Sequence, residues 1–232
     1  MENSTLELTA ALILAGAHLA VAAETTLTPN LSGFSRVEAE RAFEVEIHRG
    51  DTFRVEIHAD DTLAKDLDIH TTGDKLTLTA RDRHVWRNNE RARAVITMPA
   101  LQEFHGSGAT RTTIEGFHAS TPMDIQLSGA STIEATLDSG DLHVELSGAS
   151  KAKLRGKGAN LRAEASGASQ ADLGGFPVDR AEVHLSGASR ATVNTHGRLD
   201  IHASGASHIT HFGHPSMGTV ESSGASSIRA AD

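Results

Sequence analysis

The chain of 232 residues has no cysteine and no tyrosine, and its aromatic content is only 3%. Without cysteine there is no disulfide scaffold, no cysteine-ligated zinc or iron–sulfur site and no lipidated cysteine. Hydrophobic residues make up 38% of the chain, against roughly 45–50% in an ordinary globular domain on a count that also includes glycine. The core of the chain therefore cannot be built mainly from large aromatic side chains.

Positive charge is also scarce, because 21 lysines and arginines stand against 30 aspartates and glutamates, for a net charge of −9 at pH 7. This balance disfavours binding to a phosphate backbone, which needs clustered basic side chains. We therefore expect no nucleic-acid partner.

Long hydrophobic runs are lacking too. Residues 6–23 are rich in alanine and leucine but include Glu7 and His18, and the run is short for a membrane span of about 20 residues. Small residues before Glu24 resemble a signal-peptide cleavage site, although residues 1–5 carry no basic side chain. We expect residues 1–23 to be a signal peptide and the mature chain, without a membrane span, to be periplasmic, secreted or at the cell surface. The alternative is an ordinary amphipathic helix.

The sequence does contain a clear internal repeat. Ser-Gly-Ala occurs seven times from residue 107 onward at steps of 18 to 21 residues, followed by Thr110 in the first copy and by serine in the others. Apolar and polar residues alternate around each copy, which is typical of strands. A unit of about 19 residues is too short for a strand and a crossover helix, and the leucine-rich repeat frame is absent. We predict an all-β right-handed parallel β-helix (β-solenoid) with coils of about 19 residues, the handedness being inferred from the rule for parallel crossovers.

The first part of the chain is strand-rich but lacks the motif, with strict alternation at residues 43–48 and 53–58. We predict irregular, wider N-terminal β coils over residues 24–105 and a regular repeat solenoid over residues 106–232, together forming one continuous domain. Further glycine-rich breaks, including Gly174-Gly175 and His196-Gly197, predict a loop midway through each coil.

Each position of the Ser-Gly-Ala-Ser motif should form a column along the stack. We expect the glycines to permit a bend where a Cβ would clash or φ is positive, the alanines to fill a tight inner corner, and the serines to pass hydrogen bonds between coils. No nucleophile elbow accompanies these serines, so the motif is interpreted as structural and no catalytic residue is predicted. The predicted corner ladder comprises Ser128, Gly129, Ala130, Ser147, Gly148, Ala149, Ser166, Gly167, Ala168, Ser186, Gly187, Ala188, Ser204, Gly205 and Ala206.

The order of these parts resembles a known family. The segment Leu31–Val37 precedes the alternating strands at 43–47 and 53–57, then the turn at Gly73-Asp74, and finally the repeated corners. Over residues 31–232 the chain is similar to the auto-transporter adhesin head GIN domains, a family of bacterial envelope domains of unknown function. The resemblance implies a right-handed β-helix exported to the periplasm or cell surface, and it implies no catalytic residues.

Outward positions of the repeats form polar columns. The column four residues before each Ser-Gly-Ala contains Arg162 and Glu182, and the main interpretation of these columns is a solvated face of mixed charge. A sharper hypothesis is a binding face formed by Glu145, Glu164, His184, His202 and Glu221.

Histidine and carboxylate suit zinc, but four residues of one column span ~14 Å. At most His184 and His202 could share an ion. A second histidine cluster near the last loop comprises His208, His211 and His214. We predict no metal site and no cofactor.

Two classes of function remain open. The first is a non-catalytic exported envelope or surface protein of adhesin type, whose β-helix face binds an unknown surface or envelope ligand or serves assembly. The alternative is a polysaccharide lyase or hydrolase on a β-helix, which short loops and the scarcity of aromatic residues disfavour. No capping helix follows the last corner, so we expect a homo-oligomer formed through the uncapped end of the solenoid.

Overall fold

The computed structural model describes residues 24–81 and 92–231. It confirms the predicted fold class, because 65% of the chain is strand and 2% helix, and parallel coils about 19 residues apart stack into a β-solenoid of about seven turns. The handedness stays a prediction. The predicted signal peptide, residues 1–23, lies outside the described residues. No helix in the described part of the chain is long and apolar enough to span a membrane.

The strands fall into two groups. The N-terminal group comprises β1 (Glu24–Leu27), β2 (Arg36–Ala39), β3 (Phe43–Arg49), β4 (Arg54–Asp60), helix α1 (Asp61–Ala64), β5 (Leu67–Thr72), β6 (Lys75–Ala80) and β7 (Ala92–Met98). The regular group comprises β8 (Glu103–Gly106), β9 (Arg111–His118), β10 (Met123–Leu127), β11 (Thr132–Asp138), β12 (Asp141–Leu146), β13 (Lys151–Lys157), β14 (Asn160–Ala165), β15 (Gln170–Leu185), β16 (Arg190–Ala203), β17 (His208–Phe212), β18 (Ser216–Ser222) and β19 (Ser227–Ala230).

The N-terminal strands do not wind in chain order. Strands β2 and β3 pair in parallel with β8 and β9 on one side and with β6 and β7 on the other. Strands β4 and β5 then pair antiparallel with β7 and β6, and β1 pairs antiparallel with β4. The layer of β6 and β7 therefore lies between two layers that precede it in the chain. The irregular coils include a reversed layer that the repeat pattern did not predict.

The core is bulkier in the N-terminal layers than in most regular coils. Phe34 and Phe43 are almost completely buried there together with several aliphatic side chains, and Phe104 of β8 is buried next to them because β8 pairs with β2. In the regular coils many inward positions are alanine, valine or leucine, and Phe176 is an exception. This difference agrees with the wider N-terminal cross-section expected from the sequence.

From β8 onward each coil contributes one strand segment before its corner and one after it. Strand β10 pairs in parallel with β8 and β12, and β11 pairs in the same way with β9 and β13. Equivalent residues of successive repeats are in register, as Gln126 and Glu145 illustrate. Alternation of buried and exposed side chains sends every second residue into the core.

The predicted loop midway through each coil is present in some coils and absent from others. Strand β11 ends at Asp138 and β12 begins at Asp141, as expected. However, β15 and β16 run without interruption through Gly174-Gly175 and His196-Gly197. The prediction of a loop at these two places was therefore wrong. The pairing of β15 with β16 instead shifts register near these positions. A bulge takes up the extra residues and bends the strand without ending it.

The glycine column of the corners behaves as the sequence predicted. From Gly108 to Gly224 the second residue of every corner has a φ between +69° and +79°. From Gly129 onward, a Cβ on the corner glycine would lie 2.5–2.6 Å from the carbonyl oxygen of the glycine in the preceding coil. The amide of the following alanine donates to that same oxygen at 2.7–2.8 Å. Glycine is therefore required both by its backbone conformation and by the close approach of the coils.

The alanines and serines differ from expectation. Alanines such as Ala130 and Ala149 are exposed rather than in an inner corner, and the fourth residue of the motif is the buried one. The hydroxyl of Ser150 donates to the carbonyl oxygen of Ser147 at 2.8 Å, closing its own corner. Ser189 also reaches the carbonyl oxygen of Ala165 in an earlier coil at 3.0 Å. Coil-to-coil bonding at the corners is therefore mainly backbone bonding.

One further corner lies between β2 and β3 and lacks the motif. Its central residue, Arg41, has a φ of +69°. Among the described residues, Arg41 is the one residue other than glycine that has a positive φ. The amide of Ala109 donates to the carbonyl oxygen of Arg41. Arg41 thus occupies the glycine position of the column in the coil before Gly108.

Candidate functional site

The five residues of the predicted binding face line one shallow groove of about 480 Å³. They stand in register on successive strands β12, β14, β15, β16 and β18. The groove runs between this column and the first serines of the neighbouring corners. We call it the Glu145–Glu221 groove, and its residues are Glu145, Glu164, His184, His202 and Glu221.

Strand alternation explains why these side chains face outward. Val183 and Leu185 flank His184 and are almost fully buried. His184 must therefore point to the opposite side of the sheet, where 32% of its side chain is exposed. Because successive coils are in register, the same alternation repeats along the stack and gives a straight column.

The groove is acidic. Three glutamates line it, and neither lysine nor arginine is among its lining residues. Glu164 accepts a hydrogen bond from the Nε of Arg162 at 2.8 Å, from the neighbouring column. This bond to Glu164, followed by further contacts with Glu182, raises the pKa of Arg162.

Two histidines stack in the middle of the groove. The rings of His184 and His202 are 4.5 Å apart between centroids and nearly parallel, at 9°. The Nδ1 of His202 lies 3.0 Å from a carboxylate oxygen of Glu221, and the Nε2 of His184 lies 2.6 Å from Oε1 of Glu182. Each histidine is thus held by a carboxylate, one on the next strand and one on its own strand.

Glu182 is the residue that the sequence analysis did not assign to this site. Its position four residues before the motif puts it in a different column from the histidines, which lie two residues before the motif. Its side chain is two residues from His184 on the same face of β15, and that spacing is the signal that could have found it. The hydrogen bond to His184, followed by attraction to Arg162, lowers the pKa of Glu182. Its carboxylate is therefore ionised at neutral pH.

Glu182, His184 and His202 each offer one ligand atom, and these atoms lie within 4.8 Å of one another. Glu164 and Glu221, which shared the sequence column with the histidines, are not part of this group. Across residues 24–81 and 92–231, no other group of three potential metal-ligating side chains meets the same distance condition. The C-terminal histidines His208, His211 and His214 do not converge in this way.

A second groove on the same face carries charges that are largely matched. Asp200 accepts bonds from Nε and Nη2 of Arg198 at 2.6 and 2.7 Å, and from the amide of Thr219 at 2.7 Å. The Arg198 guanidinium first, and then the Thr219 amide, hold the pKa of Asp200 well below its usual value of 3.8. The Glu145–Glu221 groove has no such arginine within its lining, so it retains more unbalanced negative charge.

The family comparison gives a clear result. Residues 33–215 match the family model described as "Putative auto-transporter adhesin, head GIN domain". The chain belongs to this family. The resemblance inferred from the sequence is therefore confirmed, and the family name indicates an adhesin-like surface protein. No protein with a curated description matches the chain.

Solved structures share the fold. A crystal structure described as a "putative adhesin" from Bacteroides fragilis is similar with a TM-score of 0.84 and 18% identity, over 90% of this chain and 97% of that one. A "putative lipid binding protein" from Parabacteroides distasonis has a TM-score of 0.71 and 14% identity, over 90% and 97%. A "putative adhesin" from Parabacteroides merdae has a TM-score of 0.67 and 13% identity, over 90% and 96%. At these identities the similarity concerns the fold.

Proposed function

We propose that the chain is an exported, non-catalytic binding module of adhesin type that holds its ligand along the Glu145–Glu221 groove. The observation that carries this proposal is the alignment of five outward side chains, in register, along one groove. Membership of a family named for adhesins supports a role at the cell surface. The straight column suits an extended partner lying along the axis of the stack.

The charge of the groove defines the chemistry of that partner. Glutamates without lysine or arginine in the lining attract positively charged groups. Neighbouring coils are about 4.8 Å apart, so five positions offer contacts over roughly 19 Å. A surface or envelope ligand with several cationic groups along an extended chain would be held by many weak contacts together.

The corner serines are poorly suited to catalysis, which favours binding over an enzymatic role. The buried hydroxyls of Ser131, Ser150 and Ser169 each donate to a carbonyl oxygen of their own corner. A hydroxyl that donates its proton to a backbone carbonyl is not donating it to a side-chain base, which nucleophilic catalysis requires.

Binding is tested with immobilised envelope polymers and cationic polypeptides, using the purified chain. We expect Glu145→Gln, Glu164→Gln and Glu221→Gln, combined in one variant, to abolish binding that the wild type shows and that salt weakens. The matched control is Glu115→Gln with Glu134→Gln, two exposed glutamates on the opposite strands β9 and β11.

Equal binding by the groove variant and the wild type would overturn the proposal. So would release of sugar fragments when the wild type is incubated with envelope polysaccharides, because that result supports the alternative of a polysaccharide-acting enzyme.

Export is tested separately, by expressing the full chain in a bacterial host and sequencing the N-terminus of the accumulated protein. We expect the mature chain to begin near Glu24 and to fractionate with the envelope or medium. An uncleaved chain in the cytoplasmic fraction would contradict this part of the proposal.

A further inference from the structure

We propose that Glu182, His184 and His202 form a binding site for a divalent transition-metal ion, with Zn²⁺ as the probe. Two imidazoles and one carboxylate are a ligand set that zinc accepts. This inference goes beyond the proposed adhesive function and does not depend on it.

The backbone already places the two histidines for shared ligation. His184 and His202 are direct partners in the parallel pairing of β15 with β16, and their rings stack at 4.5 Å. The three ligand atoms lie within 4.8 Å of one another. Bonds of about 2.0 Å to a tetrahedral zinc ion place ligand atoms roughly 3.3 Å apart. The side chains are partly exposed, so small torsional changes can close that gap without moving the strands.

A second carboxylate orients one of the histidines. Oε2 of Glu221 lies 3.0 Å from the Nδ1 of His202. When Nδ1 donates its proton to a carboxylate, Nε2 carries the lone pair that a metal needs. Glu221 therefore acts as a positioning residue for His202 rather than as a ligand.

The carboxylate ligand is held by Arg162. Nη1 of Arg162 lies 2.8 Å from Oε1 of Glu182, and His184 contacts the same oxygen at 2.6 Å. Both of these contacts are made by Oε1, so Oε2 is available to an ion. The positive charge of Arg162 would repel a bound metal ion. The negative charges of Glu164 and Glu221, beside the histidines, oppose this repulsion.

The site would have three protein ligands, which leaves a fourth position of a tetrahedral ion facing the solvent of the groove. Water or a donor atom from a bound partner can take that position. Because an imidazole must be neutral to bind a metal, affinity should fall as the pH is lowered.

The experiment is a Zn²⁺ titration by calorimetry on the chain without a histidine tag, with Co²⁺ absorption to report coordination geometry. We expect one ion per chain. His184→Gln and His202→Gln should each weaken zinc binding by at least about tenfold. Mutating residues that only hydrogen-bond to metal ligands already lowers metal affinity by about this factor, and these two histidines would bind the ion directly. Glu182→Gln should do the same, and Glu221→Gln should weaken binding while the Co²⁺ spectrum stays that of a three-ligand site.

The matched control is His118→Gln. His118 also has a carboxylate partner, Asp138, at 3.0 Å, but among the described residues it belongs to no group of three potential ligands. Its substitution should leave zinc binding unchanged. Circular dichroism of each variant shows whether the exposed substitution has altered the fold.

Absence of zinc binding by the wild type would overturn the proposal. Undiminished binding by the double variant His184→Gln/His202→Gln would do so too, since the ion would then lie elsewhere. Failure of the adhesive function is distinguishable, because equal ligand binding by the glutamate variant and the wild type would reject that function. Zinc binding by the wild type that is lost in His184→Gln/His202→Gln would still leave the metal site standing.

Discussion

Gly148 lies directly over Gly129 in the stack, and a Cβ on Gly148 would stand 2.5 Å from the carbonyl oxygen of Gly129. The amide of Ala149 donates to that same oxygen at 2.8 Å. Any side chain at this position would separate two coils where their backbones are hydrogen-bonded. The repeated glycine is therefore a requirement of coil spacing as well as of turn conformation.

We predict that Gly148→Ala lowers the free energy of unfolding by at least about 2 kcal/mol, from positive-φ strain together with backbone displacement. Urea denaturation followed by circular dichroism measures this loss. Gly73→Ala is the matched control, because Gly73 has a φ of +63° but a Cβ there would meet no described atom within 4 Å. It should show the strain alone, and an equal loss in both variants would contradict the role assigned to coil spacing.

The buried fourth serine of the corner predicts a contrast between two chemically identical substitutions. Ser150 donates to the carbonyl oxygen of Ser147, so Ser150→Ala should cost about 1 kcal/mol of unfolding free energy. Ser207 is equally buried, but its hydroxyl finds no hydrogen-bond partner among the described residues. Ser207→Ala should therefore be neutral or stabilising, as measured by the same denaturation. Equal destabilisation by both substitutions would argue against the corner hydrogen bond as the cause.

Regular spacing made the register of the coils predictable from the sequence. The alignment of Glu164, His184 and His202 on neighbouring strands followed from counting back from each Ser-Gly-Ala, and the structure pairs these residues as expected. A shift of one residue in the pairing would move all the buried side chains of a strand to its exposed face. A periodic pattern therefore specifies the register strongly.

Other features depend on contacts that a repeat pattern does not encode. The antiparallel pairing of β4 with β7 joins segments without the motif, and alternation within a strand does not reveal its partner. Arg41 takes a glycine position without a glycine to mark it. Glu182 contacts His184 of the neighbouring column as well as Arg162 of its own column, and a side-chain torsion of this kind is not visible in residue spacing.

The contact between Arg198 and Asp200 predicts a shift in the acid titration. Asp200 has its pKa lowered in the fold, so its ionised form contributes stability above the usual aspartate range, and this contribution is lost as the pH falls through the lower, folded-state pKa. Arg198→Ala should raise the pKa of Asp200 toward 3.8, which makes this contribution smaller and moves the midpoint of the Asp200 titration to higher pH. A titration of the Asp200 carboxyl carbon by NMR measures this change.

Arg180→Ala is the control for that titration. Arg180 lies in register with Arg198 on the adjacent strand, but it is not among the groups that lower the pKa of Asp200. Its removal should leave the Asp200 midpoint in place. A midpoint that moves equally in both variants would show that general positive charge, rather than the direct hydrogen bonds, is responsible.

The last described coil predicts self-association. Val220 lies in register with Ile201, which is completely buried, yet Val220 is 46% exposed and Met217 is 45% exposed. Among the described residues, β18 pairs only with β16 and β19 only with β17. Exposed backbone edges beside apolar side chains are suited to pairing with a second copy of the chain. We expect light scattering to show a mass that rises with protein concentration.

Val220→Lys should shift this equilibrium toward the monomer, because a lysine packed between Ile201 of the preceding coil and a second chain would lose its hydration. The control is Thr192→Lys, which places the same charge on an outward position of β16 and should leave the mass unchanged. A monomeric mass for the wild type at every concentration, or one profile shared by both variants, would exclude this end of the stack as the contact surface.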